Sequence, residues 1–249
     1  MTAGDAYYSD YDDFAWFYNR YWGAVTAHSP MLDVLDRLLL SRLPAGARII
    51  DVCCGTGQLA AVLAERGFAV TGIDGSARQL EYARRNAPAC EFIHADVRDF
   101  ELPETYDAAL SVYDSLNHIM TLEDLELCFR NVCNALIPEG LFLFDLNMEE
   151  SMLKRWKGSN AHAESDNAFI MMFFYDEEEK IARADTAMFR LDEGIWHRSD
   201  VALFQAAYSE EEVMESLRSG GFSYISTCGA EEELGLPMGE GRTFFLALK

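Results

Sequence analysis

Basic side chains are scarce in this sequence. Its 249 residues include 20 Lys and Arg against 42 Asp and Glu, a formal net charge of −22. Nucleic-acid binders draw their affinity from Lys and Arg set against phosphates. Each of the successive segments 1–47, 48–146, 147–205 and 206–249 is itself net acidic, so no basic module hides in the average and nucleic acid is not an expected partner. Long apolar runs are lacking as well. No stretch approaches the roughly 20 apolar residues that span a bilayer, and the chain does not open on a basic region followed by an apolar run; no membrane partner is expected. Cysteine is sparse and unpatterned. Cys53 and Cys54 are adjacent, the other four are scattered, and without a CxxC pair or Cys/His cluster no metal site is expected. Reduced thiols in a cytoplasmic protein are the plain reading. Apolar side chains, by contrast, make up 50% of the chain, which suffices for a packed core. The acidity then reads mainly as solubility.

Apolar periodicity divides the chain. Residues 5–22 are unusually aromatic, and 31–42 carry apolar residues at helical spacing. From Arg48 short apolar strands alternate with helices: strands at 48–53, 69–73, 90–94, 107–112 and 141–146, helices at about 58–66, 76–87 and 121–136. That alternation predicts a doubly wound, mostly parallel α/β sheet of the Rossmann-like kind, with ligands at the carboxyl ends of its strands. After Leu146 a short helix (150–157) leads into strands at 168–175, 181–191 and 195–205, with Asp192-Glu193-Gly194 as a tight hairpin turn. This antiparallel block is an insertion. A helix (209–218) and strands at 222–228 and 242–248 complete the sheet. The expected units are therefore an aromatic N-terminal cap (1–45), a cofactor-binding core (46–146), the β insertion (147–205) and closing elements (206–249).

The most informative stretch is Asp51-Val-Cys53-Cys54-Gly55-Thr-Gly57-Gln-Leu-Ala60. A Gly-rich turn between first strand and first helix lets a ligand approach the backbone closely. Asp74, seventeen residues past Gly57 at the end of the second strand, is placed to accept hydrogen bonds from ribose hydroxyls. Gly55-x-Gly57-x-x-Ala60 also matches the dinucleotide fingerprint, so an NAD-dependent oxidoreductase is the first alternative. Asp51 argues for S-adenosylmethionine (AdoMet). Its carboxylate repels a pyrophosphate and suits the ammonium of a methionine moiety.

Asp51-Val-Cys-Cys-Gly-Thr-Gly, Asp74-Gly-Ser-Ala-Arg-Gln-Leu and Ala95-Asp96-Val97-Arg98 occur in this order. Their order and spacing resemble the class I AdoMet-dependent methyltransferases over residues 46–146. The resemblance implies that Asp51, Gly55 and Gly57 hold the methionine end, Asp74 the ribose, and Asp96 with the backbone of Val97 the adenine, with Cys53, Gly75 and Ser111 also expected to bind the cofactor. Gln79 stands where the family often has Met beside the adenosine.

The segment Ser111-Val-Tyr113-Asp114-Ser115-Leu-Asn117-His118 follows the fourth strand, where the methyl acceptor belongs. His118 is the one side chain there whose ordinary pKa lies near neutrality. It is the candidate to deprotonate or orient an amine or hydroxyl, with Asn117 and Asp114 assisting; a packed His118 beside helix-capping Asp114 or Asn117 is the alternative. This segment is similar to that of small-molecule methyltransferases of the glycine and amino-sugar N-methyltransferase type. So is the opening Tyr11-Asp12-x-x-Ala15-x-x-Tyr18-Asn19, with Asn19 at a usually acidic position. That likeness implies a lid over the cofactor, with Tyr11 or Tyr18 near the methionine carboxylate or the acceptor. Tyr7, Trp16 and Trp22 read as packing. In the insertion, Phe169, Met171, Phe173, Phe189, Trp196 and Phe204 either roof the pocket or form a homodimer contact. The expectation is methyl transfer from AdoMet to a small molecule, leaving S-adenosylhomocysteine, with an amine preferred to a hydroxyl. A non-catalytic AdoMet-binding protein is the second alternative.

Overall fold

The computed structural model describes residues 9–23, 30–236 and 240–249. The aromatic segment forms helix α1 (Tyr11–Phe17), which continues into a π-type turn over Tyr18–Gly23; Tyr7 lies outside the described residues. Helix α2 (Met31–Leu38) ends earlier than its apolar spacing predicts. At Leu39 the backbone leaves the helical region (φ −130°), and a 3-10 turn over Leu40–Arg42 completes the segment.

The main sheet then builds in alternation. Strand β1 (Arg48–Val52) leads to helix α3 (Gln58–Glu65), β2 (Ala69–Asp74) to α4 (Ala77–Asn86), and β3 (Glu91–His94) follows. Next come β4 (Tyr106–Ser111), α5 (Leu122–Ala135) and β5 (Leu136–Asn147). The chain closes with α7 (Glu210–Ser219), β10 (Tyr224–Gly229) and β11 (Arg242–Leu248). The strand order is β10-β11-β5-β4-β1-β2-β3. Strands β1 to β5 are parallel, while β11 runs antiparallel to β5, and β10 to β11. The order reverses between β1 and β4, the switch point where such sheets open a ligand crevice. Strand β1 buries its apolar residues on both faces because helices cover each; Ile49, Ile50 and Val52 are fully buried, and Asp51 is buried among them. One half of the core packs Phe129, Phe142, Phe144, Leu217 and Phe245 between the sheet, α5 and α7. The other packs Leu35, Leu39, Leu63 and Leu110 beneath α2 and α3.

After β5, helix α6 (Glu149–Arg155) leads into a separate antiparallel sheet of β6 (Gly158–Ala163), β7 (Asn167–Asp176), β8 (Ile181–Asp192) and β9 (Ile195–Ala206), in that spatial order. The β8–β9 hairpin turns through Glu193 (φ +48°) and Gly194 (φ +82°), the two left-handed residues of a type I′ turn. Strand β6 is not among the expected strands. It is an exposed edge strand of sequence Gly-Ser-Asn-Ala-His-Ala, so it carries no apolar alternation to read. The inner face of this sheet packs on the cap: Phe14 and Phe17 of α1 meet Phe169, Met171, Met188 and Leu203 in one cluster, with Trp16 and Trp22 at its margin.

Candidate active site

Turns following the carboxyl ends of β1, β2 and β4 converge beneath α1. The first passes through Cys53 (φ +59°), Gly55 (φ +55°) and Gly57 (φ +77°). Its two glycines do different work. A Cβ on Gly57 would lie 2.9 Å from the Cα and Cβ of Ala83, so this glycine lets the start of α3 pack on α4. A Cβ on Gly55 would lie 3.2 Å from Gln79 Oε1 and 3.3 Å from the Tyr18 ring, narrowing the space over the turn. Asp74 locks the first turn to the second. Its Oδ2 accepts the Gly55 N–H at 2.8 Å and its Oδ1 the Ser76 N–H at 2.7 Å. Each oxygen keeps acceptor capacity for a further donor.

A cavity of about 240 Å³ opens here, near the lower end of the usual size of small-molecule sites. Of the residues expected at the site, its wall includes Tyr18, Cys53, Gly55, Asp74, Gly75, Gln79, Asp96, Val97 and His118. Tyr11, Arg98, Tyr113 and Ser115 line it too. The Asp96 carboxylate is shared with Arg98, whose Nη2 donates to Oδ2 at 2.5 Å and whose Nε donates to Oδ1 at 2.9 Å. Burial holds the Cys53 thiol well above its ordinary pKa, which favours the protonated form.

Asp51, Gly57, Ser111, Asp114 and Asn117 do not line the cavity. Gly57 is spent on helix packing. Ser111 is fully buried, and its Oγ has no partner. Asn117 is structural: its Nδ2 donates to the carbonyls of Asn147 (3.0 Å) and Ala206 (2.8 Å), and its Oδ1 accepts the Asn147 N–H at 2.9 Å. The side chain expected to assist catalysis therefore ties the loop after β4 to β5 and β9. Asp114 is held by Arg242 Nη2 at 2.5 Å and Gln205 Nε2 at 2.7 Å. Asp51 is 3% exposed, with Oδ2 unpartnered. Burial, and then the nearby Asp74 charge, push its pKa up to about 8.

The loop after β4 is strained, and the strain has a visible support. Tyr113 (φ +64°) and Asp114 (φ +53°) are consecutive left-handed non-glycine residues. The fully buried Asp145 carboxylate accepts both their N–H groups, at 2.7 Å and 3.1 Å, and Arg242 bridges Asp145 to Asp114. Asp145, Arg242 and Gln205 are absent from the sequence-based candidates. This clamp sets down the 3-10 turn Ser115–His118. His118 Nδ1 lies 2.6 Å from the Phe204 carbonyl and Nε2 lies 2.9 Å from the Tyr11 hydroxyl. A carbonyl only accepts, so Nδ1 carries the proton, and Nε2 accepts the Tyr11 O–H. Burial lowers the His118 pKa and raises that of Tyr11 well above its ordinary value, so both are neutral near pH 7.

The cap is fastened to the cofactor-side elements. Asp12 Oδ1 accepts Ser76 Oγ–H at 2.6 Å and the Arg78 N–H at 3.0 Å, adding to the N-terminal cap of α4. Asn19 Oδ1 accepts from Gln58 Nε2 (2.9 Å) and Asn86 Nδ2 (2.8 Å).

A cationic nucleoside suits these residues. Among the described residues, the buried Gln79 Oε1 and Asp51 Oδ2 have no hydrogen-bond partner, Asp74 offers acceptors at the end of β2 beside the switch-point turn, and the cationic Arg98 in the wall is engaged by Asp96 and Asp124. The fold and site together define an AdoMet-binding protein of the doubly wound class. Residues 49–140 match the family model described as a methyltransferase domain. Over 217 residues the chain is 30% identical to the putative methyltransferase YqeM of Bacillus subtilis, covering 85% of this chain and 86% of that one. It is also 30% identical over 111 residues to a dTDP-3-amino-3,6-dideoxy-alpha-D-glucopyranose N,N-dimethyltransferase of Streptomyces fradiae, covering 45% and 44% of the two chains. Among solved structures it resembles SAM-bound CalS10, an amino pentose methyltransferase from Micromonospora echinaspora, with a TM-score of 0.66, 20% identity and 99% of each chain covered. The chain belongs to the AdoMet-dependent methyltransferases, which sets aside both the NAD-dependent oxidoreductase and the non-catalytic alternative.

Proposed function

We propose that the enzyme methylates the nitrogen of a small-molecule amine, with Tyr11 and His118 removing the proton. The observation that carries this reading is the 2.9 Å hydrogen bond from the Tyr11 hydroxyl to His118 Nε2 at the cavity wall. An amine acceptor arrives as an ammonium ion, whose nitrogen has no lone pair until it loses a proton. The ammonium proton passes to the Tyr11 oxygen as the Tyr11 proton passes to His118 Nε2, leaving imidazolium and a neutral amine. The phenol is not ionised at any stage, which its raised pKa favours.

AdoMet, when bound, supplies an electrophilic methyl group whose leaving group is a neutral thioether needing no acid. Asp51 and the Gly55 turn would hold its methionine end, Asp74 and Gly75 its ribose, and Asp96, Val97 and Gln79 its adenine. The cap, sandwiched between the two sheets, would cover it and exclude water. The name of the Streptomyces fradiae relative supports an amine on a sugar-like scaffold. The insertion sheet supports a homodimer. Its outer face exposes Ile170, Met172, Phe174 and Phe204, and the Arg183–Asp185 and Arg198–Asp200 pairs on it each sum to no net charge on a chain of −22. Among the described residues no helix is long and apolar enough to cross a membrane, and six free cysteines accord with a reducing cytoplasm.

Labelled AdoMet offered with matched panels of amino and hydroxy acceptors, nucleotide-linked amino sugars included, tests the acceptor class. Label should enter amines. Transfer to hydroxyl acceptors alone would overturn the proposal.

A further inference from the structure

The hydrogen bonds around His118 fix two proton positions from opposite sides. On one side, the Phe204 carbonyl at 2.6 Å takes the Nδ1 proton and leaves the lone pair on Nε2. On the other, Asp114 Oδ2 lies 2.7 Å from Gln205 Nε2, so the Gln205 amide must turn its NH2 toward that carboxylate. The same NH2 lies 3.3 Å from His118 Nε2. Two independent assignments therefore agree: a Gln205 N–H meets the His118 lone pair, beside the Tyr11 hydroxyl. We infer that Gln205 is a positioning residue that holds His118 as the neutral Nδ1–H tautomer, its N–H sharing the single Nε2 lone pair with the Tyr11 O–H.

Gln205 reverses the polarity of its neighbour. A carboxylate beside a histidine ordinarily favours imidazolium, and Asp114 is the nearest acid on the His118 segment. Gln205 receives that carboxylate on one N–H and presents another N–H to the ring. Protonation at Nε2 then sets two N–H groups against each other. Rotating the amide by half a turn gives no relief, because it brings Oε1 against the Asp114 carboxyl oxygen, whose other oxygen accepts from Arg242 Nη2. The amide keeps this orientation even though Oε1 is left buried and unpartnered in a side chain only 3% exposed, an arrangement that is unfavourable by itself.

Other charged and titratable groups face this point, and burial of the ring outweighs the Asp114 charge and the Phe204 hydrogen bond, which favour imidazolium. From α1 and its extension come Tyr11 and Tyr18, both kept protonated by burial. From β11 comes Arg242, and from the end of α6 comes Arg155, each within electrostatic reach of Asp114. Asp74, across the cavity, acts on Tyr11. Burial of the ring works in the same direction as Gln205. The result is a base that is unprotonated at the start of each turnover. Only that kinetic consequence rests on the amine reading above; the tautomer and the titration do not.

Imidazole 15N NMR on the full chain, without any acceptor, tests the inference. In the wild type His118 should show the Nδ1–H tautomer and titrate below an ordinary histidine. Gln205→Glu sets an acceptor oxygen beside Nε2 and should raise the His118 midpoint by at least one pH unit. Gln205→Met removes the N–H without adding charge and should raise it by less; if the Glu variant fails to fold, the Met variant decides. An Nε2–H tautomer in the wild type, or a midpoint unmoved by the folded variants, overturns the inference. A shifted midpoint in an enzyme that methylates hydroxyls alone would sink the amine reading and leave this one standing.

Discussion

Asp51→Asn separates the binding role of that carboxyl from its effect on stability, because the structure predicts opposite changes in the two. Asp51 is buried, has one unpartnered oxygen and titrates near pH 8 in the unliganded chain. At pH 7 such a group is about 90% protonated. Binding a methionine ammonium favours the carboxylate, so cofactor binding should release about 0.9 proton at pH 7 and far fewer at pH 9. The same linkage acts on folding. A raised pKa means that the folded chain holds this proton more tightly than the unfolded chain between about pH 4 and 8, so stability falls as pH rises through that window. At pH 7 the ceiling on this effect is roughly 4 kcal/mol, about three pH units at about 1.4 kcal/mol each. Asn has no such proton to hold. Unliganded Asp51→Asn should therefore melt higher than the wild type at pH 7, while losing one charge-assisted hydrogen bond to the ligand, about 1.5–3 kcal/mol or roughly 10–150-fold in Kd. Calorimetric titration with S-adenosylhomocysteine, in buffers of different ionisation enthalpy, counts the protons directly. Proton release and affinity that survive unchanged in Asp51→Asn would refute the reasoning.

Three further substitutions probe the remaining assignments. His118→Ala should lower kcat by about 10²-fold or more with cofactor affinity retained; single-turnover kinetics beside a binding isotherm checks this, and unchanged turnover returns His118 to packing. Asn117→Ala strips three buried hydrogen bonds and should cost about 2–4 kcal/mol in denaturant unfolding, with turnover per folded molecule within about threefold of wild type. A large loss of turnover at unchanged stability would restore its catalytic role. Gly57→Ala combines a left-handed backbone with a contact 2.9 Å from Ala83; it should destabilise by about 2–3 kcal/mol, and a neutral melting temperature would contradict the packing argument.

How much of this was readable in the sequence follows from what each residue's neighbours are. The strands β1, β2, β4 and β11 stood out because both their faces are covered and each is a short, mostly apolar run. Asp74 and Gly55 were legible because a strand–turn–helix places them whatever the rest of the chain does. Strand β6 was not, because an exposed edge needs no pattern. The polar cluster after β4 marked the correct end of the sheet without revealing which side chains face the cavity. Two left-handed residues turn Tyr113, Ser115 and His118 toward it and leave Asp114 and Asn117 off the wall. Asp145 and Arg242 gave no local signal. One sits in an apolar strand and the other opens the last strand, and only the β5–β11 pairing, with Phe244 opposite Asp145, brings them together.

The aromatic opening is more than a cover. Its spacing has a mechanical reason at each position: Asp12 caps α4, Ala15 is buried on the cap's inner face, Asn19 joins α3 to α4, and Tyr11 and Tyr18 face the cavity. The helix that Asp12 caps is also the one that carries Gln79, against the Gly55 turn. The contact that seats Tyr11 on His118 is therefore anchored to the helix that presents Gln79 to the cavity. A ligand that orders α4 would steady the proposed proton acceptor by the same bonds, and a chain of net charge −22 is compatible with a cationic cofactor. The proposed proton-accepting pair is completed by Tyr11, a residue that lies before the first strand of the fold, so on that proposal the cap belongs to the active site.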